Sequence, residues 1–346
     1  ITEALRHRLE HQVFGYSIAP DSYWQSIQDW LLNRHGFSVE RDELTFIPGI
    51  VRGLAMALQV FTDKGDKVLI QQPVYHPFRI IIEGNCRKVV RNPLRFCDDG
   101  HVEMDFELLE RQFAEERPRM MILCNPHNPS GRVWTREELR RIGDICIKNN
   151  VVVVADEIHC ELVHPGFTYT PFASVSEEFQ KHSVTCVAPS KAFNIAGLQI
   201  ANIIVENDKW RQRIDKAINI NEVCDVNPFG VIATIAAYNE GEEWLNQLLQ
   251  YIHGNYLFFK DYCEEHLPQL PVAPLEGTYL AWMDCRSLGI SSEELEEELM
   301  KEAKLWLNAG SMYGKEGEGF MRWNLACPRQ LVKEGLERFS QFVNKR

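Results

Sequence analysis

The sequence predicts an α/β protein: a mostly parallel sheet with helices on both faces, followed by a smaller α+β unit. Three observations predict it. Short apolar, β-branched runs recur at residues 44–47, 67–71, 86–91, 120–124, 151–155, 184–188 and 200–205. Helical spacing of apolar residues stands between several of these runs, and such alternation argues a parallel sheet covered on both faces. Beyond residue 205 the order changes: helices follow one another, with strand-like runs only at 278–283 and 321–325. The boundary is placed after residue 238. This gives a large unit of residues 15–238 and a small one of 239–346, with residues 1–14 packing on the small unit.

Composition is that of an ordinary globular chain: 346 residues, 45% hydrophobic and 25% charged. The formal net charge of −12 argues against nucleic acid or an acidic membrane as partner, because both select a basic face. No run is long enough to span a bilayer. Ten scattered cysteines without a Cys-x-x-Cys pair read as reduced thiols of a cytoplasmic protein rather than as a disulfide frame or a zinc site. The chain begins at Ile1 rather than at methionine, and a further segment upstream of it is expected.

The elements follow in order. Residues 1–11 read as the end of a helix. Asp21 and Ser22 are good N-caps for a helix carrying Trp24, Ile27 and Leu31, which Gly36 ends. After the strand at 44–47, Pro48-Gly49 breaks the chain and residues 50–61 continue as a helix; such a turn can offer backbone N–H groups to a phosphate. Thr135 and Glu138 form a capping box for a helix with Leu139, Ile142 and Cys146 on one face. Residues 210–219, 230–238 and 242–266 read as helices, Ser291 and Glu294 cap another, and residues 330–344 close the chain as a helix.

In open α/β sheets, ligands bind at the carboxyl ends of strands. Lys191 stands just past the strand at 184–188, behind Pro189 and Ser190. Its amine can form a Schiff base with an aldehyde cofactor, though a lone lysine in a loop is ordinarily just solvated. Asp156 follows five apolar residues, and a carboxylate buried there needs a partner. It serves either a structural ion pair or the protonated nitrogen of a pyridine ring. Asn128 lies in the turn Asn125-Pro-His-Asn-Pro-Ser-Gly131, where it either shapes the turn or hydrogen-bonds a ring hydroxyl. Tyr75 either stacks on a flat ring or fills the core, and His159 is a second hydroxyl partner or an interior histidine. Arg322 alternates with Met321, Trp323 and Leu325, either as a solvated residue or as a bidentate clamp for a carboxylate.

Taken in order, Gly49, Tyr75, Asn128, Asp156, Lys191 and Arg322 resemble the fold-type I pyridoxal-phosphate enzymes, the aspartate aminotransferase superfamily, over essentially the whole chain. The resemblance implies an aspartate-aminotransferase-like large domain and pyridoxal 5'-phosphate as cofactor. It implies that Lys191 holds the cofactor covalently, Asp156 pairs with the ring nitrogen, Asn128 contacts the ring oxygen with His159 nearby, and Tyr75 stacks on the ring. Gly49, Ile50 and Val51 would offer backbone N–H groups to the phosphate, with Ser190, and Arg322 with Asn128 would receive the substrate carboxylate. Tyr16 would reach the phosphate of a neighbouring subunit, which implies a homodimer with shared sites.

Trp134, Asp156-Glu-Ile-His159, Ser190-Lys-Ala-Phe-Asn-Ile-Ala-Gly197, Gly310-Ser-Met-Tyr-Gly314 and Arg322-Trp-Asn-Leu-Ala-Cys-Pro328 narrow the resemblance to the cystathionine β-lyase subgroup of the MalY/PatB type. Three positions depart from the aminotransferase pattern: Gln199 replaces an arginine, His159 a tyrosine and Ala188 a serine. The first and third leave phosphate binding resting more on backbone N–H groups and Ser190. The implied activity is carbon–sulfur β-elimination from cystathionine or a related cysteine S-conjugate. The alternatives are a class I/II aminotransferase and a regulatory or interaction protein on the same fold.

Overall fold

The structure is a computed structural model and describes residues 1–97 and 100–345. The chain opens with α1 (Thr2–Glu10) and α2 (Asp21–His35), then β1 (Leu44–Ile47), α3 (Ile50–Phe61), β2 (Lys67–Gln72), α4 (Pro77–Gly84) and β3 (Lys88–Pro93). A short hairpin, β4 (Arg95–Phe96) with β5 (Val102–Glu103), precedes α5 (Phe106–Glu116) and β6 (Met120–Cys124). There follow α6 (Arg136–Lys148), β7 (Val152–Asp156), α7 (Glu177–Lys181), β8 (Ser183–Val187) and β9 (Ala201–Ile204). Three helices come next: α8 (Asp208–Ile220), α9 (Pro228–Glu240) and α10 (Glu242–His266). The chain closes with β10 (Leu280–Asp284), α11 (Ser292–Glu298), β11 (Asn308–Ala309), β12 (Phe320–Asn324) and α12 (Arg329–Val343).

Seven strands form one sheet in the order β1-β9-β8-β7-β6-β2-β3. Neighbours from β3 to β8 are parallel, while β9 runs antiparallel to both β8 and β1. Side chains of a strand alternate between faces. Val68, Ile70, Ile122 and Val154 therefore join the core under α3 and α4, while Leu69, Met121, Leu123 and Val153 join the core under α5 and α6. Register then sets the site: Cys124 stands opposite Asp156, and Asp156 opposite Cys186. The carboxyl ends of β6, β7 and β8 are level, so the loops that follow them meet at one edge.

The smaller sheet has the order β10-β12-β11, all antiparallel. Its apolar face, with Met283, Met321 and Trp323, shares a core with α11 and α12. Helix α10 joins the two bodies of core: Leu245 near its start packs with Trp30 and Tyr238, and Phe259 near its end packs with Trp323.

Several expectations are corrected. Residues 1–14 were expected on the unit of residues 239–346; α1 lies against α9, and Ile1 and Leu5 pack on a cluster of Tyr23, Trp30, Tyr238 and Leu245 that draws on both units. Asp21 is the first residue of α2, not its cap; Pro20 holds that position and makes no side-chain cap bond. Helices α4 and α5 were not anticipated. The capping boxes of Thr135 with Glu138 and of Ser291 with Glu294 are present, and Gly36 ends α2 at φ +62°.

Candidate active site

One cavity of about 660 Å³ opens at the level edge of the large sheet, against the polar face of the small one. Gly49, Ile50, Val51, Tyr75, Asn128, Asp156, His159, Ser190, Lys191 and Arg322 all line it. Of the residues expected to touch cofactor or substrate, Tyr16 alone lies outside: it is 97% exposed on the extended stretch before α2.

Asp156 ends β7 and is 3% exposed. It accepts a hydrogen bond from the Ile158 backbone N–H at 3.2 Å. Burial disfavours its charged form and pushes the carboxyl from 3.8 up to about 7, against the opposing pull of that N–H and of Lys191. Lys191 stands four residues past Val187, where β8 stops. The turn that carries it is held by Phe193 N–H on the Pro189 carbonyl at 2.9 Å and Ile195 N–H on the Ser190 carbonyl at 3.0 Å. Burial and the positive charge of Arg322 lower the pKa of the Lys191 amine from that of a free lysine, with Asp156 pulling the other way.

The loop after β6 is pinned on both sides. Asn125 N–H donates to the Asp156 carbonyl at 3.0 Å, and the indole N–H of Trp134 donates to the Cys124 carbonyl at 2.9 Å. Trp134 is fully buried, so it fixes the loop from below rather than entering the cavity. Tyr75 N–H donates to the Asn128 carbonyl at 3.0 Å, which ties the end of β2 to the same loop. Glu157 turns away from the cavity: its carboxylate accepts from the Tyr169 hydroxyl, from Phe172 N–H at 2.9 Å and from the Asn125 side chain at 3.2 Å.

His159 is buried, and burial with the nearby charges of Lys191 and Arg322 pushes it down to about 3, so its ring is neutral. Its Nδ1 has no hydrogen-bond partner among the described residues. Arg322 lies on the polar face of β12. Its Nη1 donates to Asn128 Oδ1 at 3.0 Å and its Nη2 to Asn308 Oδ1 at 2.8 Å, while the guanidinium carbon stands 5.0 Å from the centre of the Tyr313 ring. The alternation read from sequence therefore holds, with Met321, Trp323 and Leu325 buried behind it. At the far end of the cavity Gly49 takes φ +98°, open to glycine and costly for other residues, and starts α3 with no side-chain cap.

Sequence reasoning missed Tyr279, Arg52 and Cys124, which also line the cavity. Tyr279 meets the His159 ring edge-on, with centroids 5.9 Å apart. Arg52 Nη1 donates to Gln199 Oε1 at 2.9 Å. Cys124 is fully buried, and burial with the Asp156 charge raises its thiol well above the ordinary range, so it is a packing residue and not a nucleophile. The alternation of β6 was the available signal for Cys124; none was local for the other two.

A lysine, a buried carboxylate and an arginine facing one cavity at the carboxyl edge of a parallel sheet define an α/β enzyme site for a small acidic ligand. The chain belongs to the class I and II aminotransferase family, whose pattern residues 3–339 match. It is 42% identical over 338 residues to cystathionine beta-lyase PatB of Bacillus subtilis strain 168, covering 98% of this chain and 87% of that protein. Two solved structures are close to it. Cystalysin of Treponema denticola, which contains pyridoxal 5'-phosphate, superposes with a TM-score of 0.97 at 33% identity over 99% of this chain and 87% of that one. The PLP-bound C-S lyase of Staphylococcus hominis, complexed with L-cycloserine, gives 0.94 at 34% identity over 100% and 89%.

Proposed function

We propose that this protein is a pyridoxal-phosphate-dependent carbon–sulfur β-lyase. It converts cystathionine or a related cysteine S-conjugate, with one water, to a thiol, pyruvate and ammonia. The observation that carries the reading is the buried Asp156 facing the same cavity as Lys191 and Arg322, in a chain so similar to a cystathionine beta-lyase.

The residues fit that cofactor. A buried carboxylate with only a backbone N–H to answer it suits a cationic ring nitrogen, and the unpartnered His159 Nδ1 suits a ring substituent. The open first turn of α3 suits a phosphate. Lys191 would hold the cofactor aldehyde, Asp156 its nitrogen, Asn128 and His159 its ring oxygen, Tyr75 its face, and Ile50, Val51 and Ser190 its phosphate; the N–H of Gly49, expected there too, already donates to the Ile47 carbonyl at 2.8 Å. When bound, the cofactor supplies a sink for the negative charge that develops at Cα. Arg322 binds the substrate carboxylate through its planar fork and turns the Cα–H toward Lys191. The Lys191 amine, lowered in pKa by burial, takes the Cα proton. The thiolate then leaves from Cβ. Asp156, as a carboxylate, keeps its partner nitrogen protonated throughout.

The assembly we infer is a homodimer with shared sites. Tyr16 supports it, because it stands almost fully exposed near the exposed Val13, Phe14 and Ile18. The compartment we infer is the cytoplasm: among the described residues no cysteine is in a disulfide, and six are buried, as suits a reducing environment.

The second reading is an aminotransferase, which the family match favours. It uses the same residues up to loss of the Cα proton, then returns the amine to a keto acid. Product analysis decides between them. Cystathionine or an S-alkyl cysteine, supplied alone, gives thiol, pyruvate and ammonia over many turnovers, independent of 2-oxoglutarate. Turnover that stops after one equivalent and resumes only with a keto acid refutes the lyase.

A further inference from the structure

Asp156 and Arg322 line the cavity, and so does the first turn of α3, whose N–H groups carry the positive end of a 12-residue helix. Arg52 lies on that same turn. Its Nη1 donates to the Pro48 carbonyl and, at 2.9 Å, to Gln199 Oε1. Its Nε and Nη2 have no acceptor, and it has no carboxylate partner among the described residues.

Gln199 is arranged to present that oxygen. It takes φ +52°, a left-handed conformation uncommon outside glycine, asparagine and aspartate, and strained positions of this kind concentrate at functional sites. Its Nε2 donates to the Ala196 carbonyl at 2.9 Å, which leaves Oε1 turned toward Arg52. That oxygen lies 3.5 Å from where a Cβ on Gly49 would stand, so it sits directly over the start of the helix. The pair thus places the open Nε and Nη2 of a guanidinium beside the unpaired N–H groups of Ile50 and Val51, two kinds of donor that suit one anion.

Resting on the cofactor reading above, we propose that Arg52, oriented by Gln199, is the side-chain cation that binds the cofactor phosphate. The backbone N–H groups and Ser190 are then not the only phosphate ligands. Arg52 selects phosphorylated over unphosphorylated forms of the cofactor, and Gln199 is a positioning residue that acts through it.

The test compares pyridoxal 5'-phosphate with pyridoxal, which lacks the phosphate, by equilibrium titration of the apoprotein followed by absorbance. Arg52→Ala weakens pyridoxal phosphate at least about tenfold, equivalent to about 1.4 kcal/mol, and leaves pyridoxal unchanged. Arg52→Lys keeps the charge and recovers part of the loss. Inorganic phosphate competes with the cofactor in the wild type and less well in Arg52→Ala. Equal loss for both ligands, or no loss for pyridoxal phosphate, overturns the arginine assignment while leaving the cofactor reading intact. A wild-type protein that takes up neither ligand overturns the cofactor reading itself.

Discussion

Replacing Asp156 with asparagine should stabilise the cofactor-free protein, and by an amount that depends on pH. In the folded apoprotein the carboxyl is raised to about 7 from 3.8, chiefly because it is buried. The difference is just over three pH units, at about 1.36 kcal/mol each, so ionised Asp156 costs the apoprotein about 4 kcal/mol. The native state holds its proton more tightly than the unfolded chain does. The associated stability is therefore present below about pH 4 and is lost as pH rises through about 7. Asparagine cannot ionise and does not suffer that loss. It also keeps an oxygen for the Ile158 N–H. Glu157, likewise raised to about 7 by burial, contributes equally to both proteins and cancels in the comparison. The assay is urea denaturation of wild-type and Asp156→Asn apoproteins between pH 4 and 8.5. The variant's advantage should be smallest at pH 4 and grow by several kcal/mol toward pH 8. An advantage that is flat with pH, or that shrinks as pH rises, refutes the reasoning, because Asp156 would then already be partnered without the cofactor.

Two further outcomes test the neighbouring roles. Borohydride reduction of the protein loaded with pyridoxal phosphate should fix the label on Lys191 alone by peptide mass spectrometry, and a label on another lysine removes Lys191 from its role. Arg322→Lys retains the charge but loses the fork that meets Asn128 and Asn308, so the Michaelis constant for cystathionine should rise about tenfold or more. A Michaelis constant unchanged in that variant would mean that Arg322 does not bind substrate.

The strand-end part of the site was legible because its signal is local. Asp156 and Lys191 each follow an apolar run too short for a helix, and Asn128 closes a proline-rich turn after another. In a parallel sheet such ends converge whatever the loops do. Arg322 was legible by alternation with its buried neighbours. Tyr279 was not, because it enters the cavity only when Thr278 before it adopts φ +68°, which β-branched residues avoid. Arg52 reads as one more helical residue, and its partner Gln199 is 147 positions away. Helix α4 was hidden by Ile80-Ile81-Ile82, which suits a strand until Pro77 is recognised as its first helical residue. The place of residues 1–14 has no local signal, since nothing in so polar a helix says which face will be covered: none of the residues of α1 is buried.

Arg322 holds one amino nitrogen against an asparagine from the large sheet's loop and the other against an asparagine of its own sheet. Two bonds in different directions fix the plane of a guanidinium. The freedom of a long side chain, worth about 2 kcal/mol, is therefore lost during folding and not when a ligand arrives. An incoming carboxylate meets a receptor that is already immobile, and its affinity becomes a readout of how the two sheets are aligned. A substitution far from the cavity that shifts the small sheet by an ångström would loosen substrate binding while leaving Lys191 and Asp156 in place, so the alignment of the sheets is itself part of the binding constant.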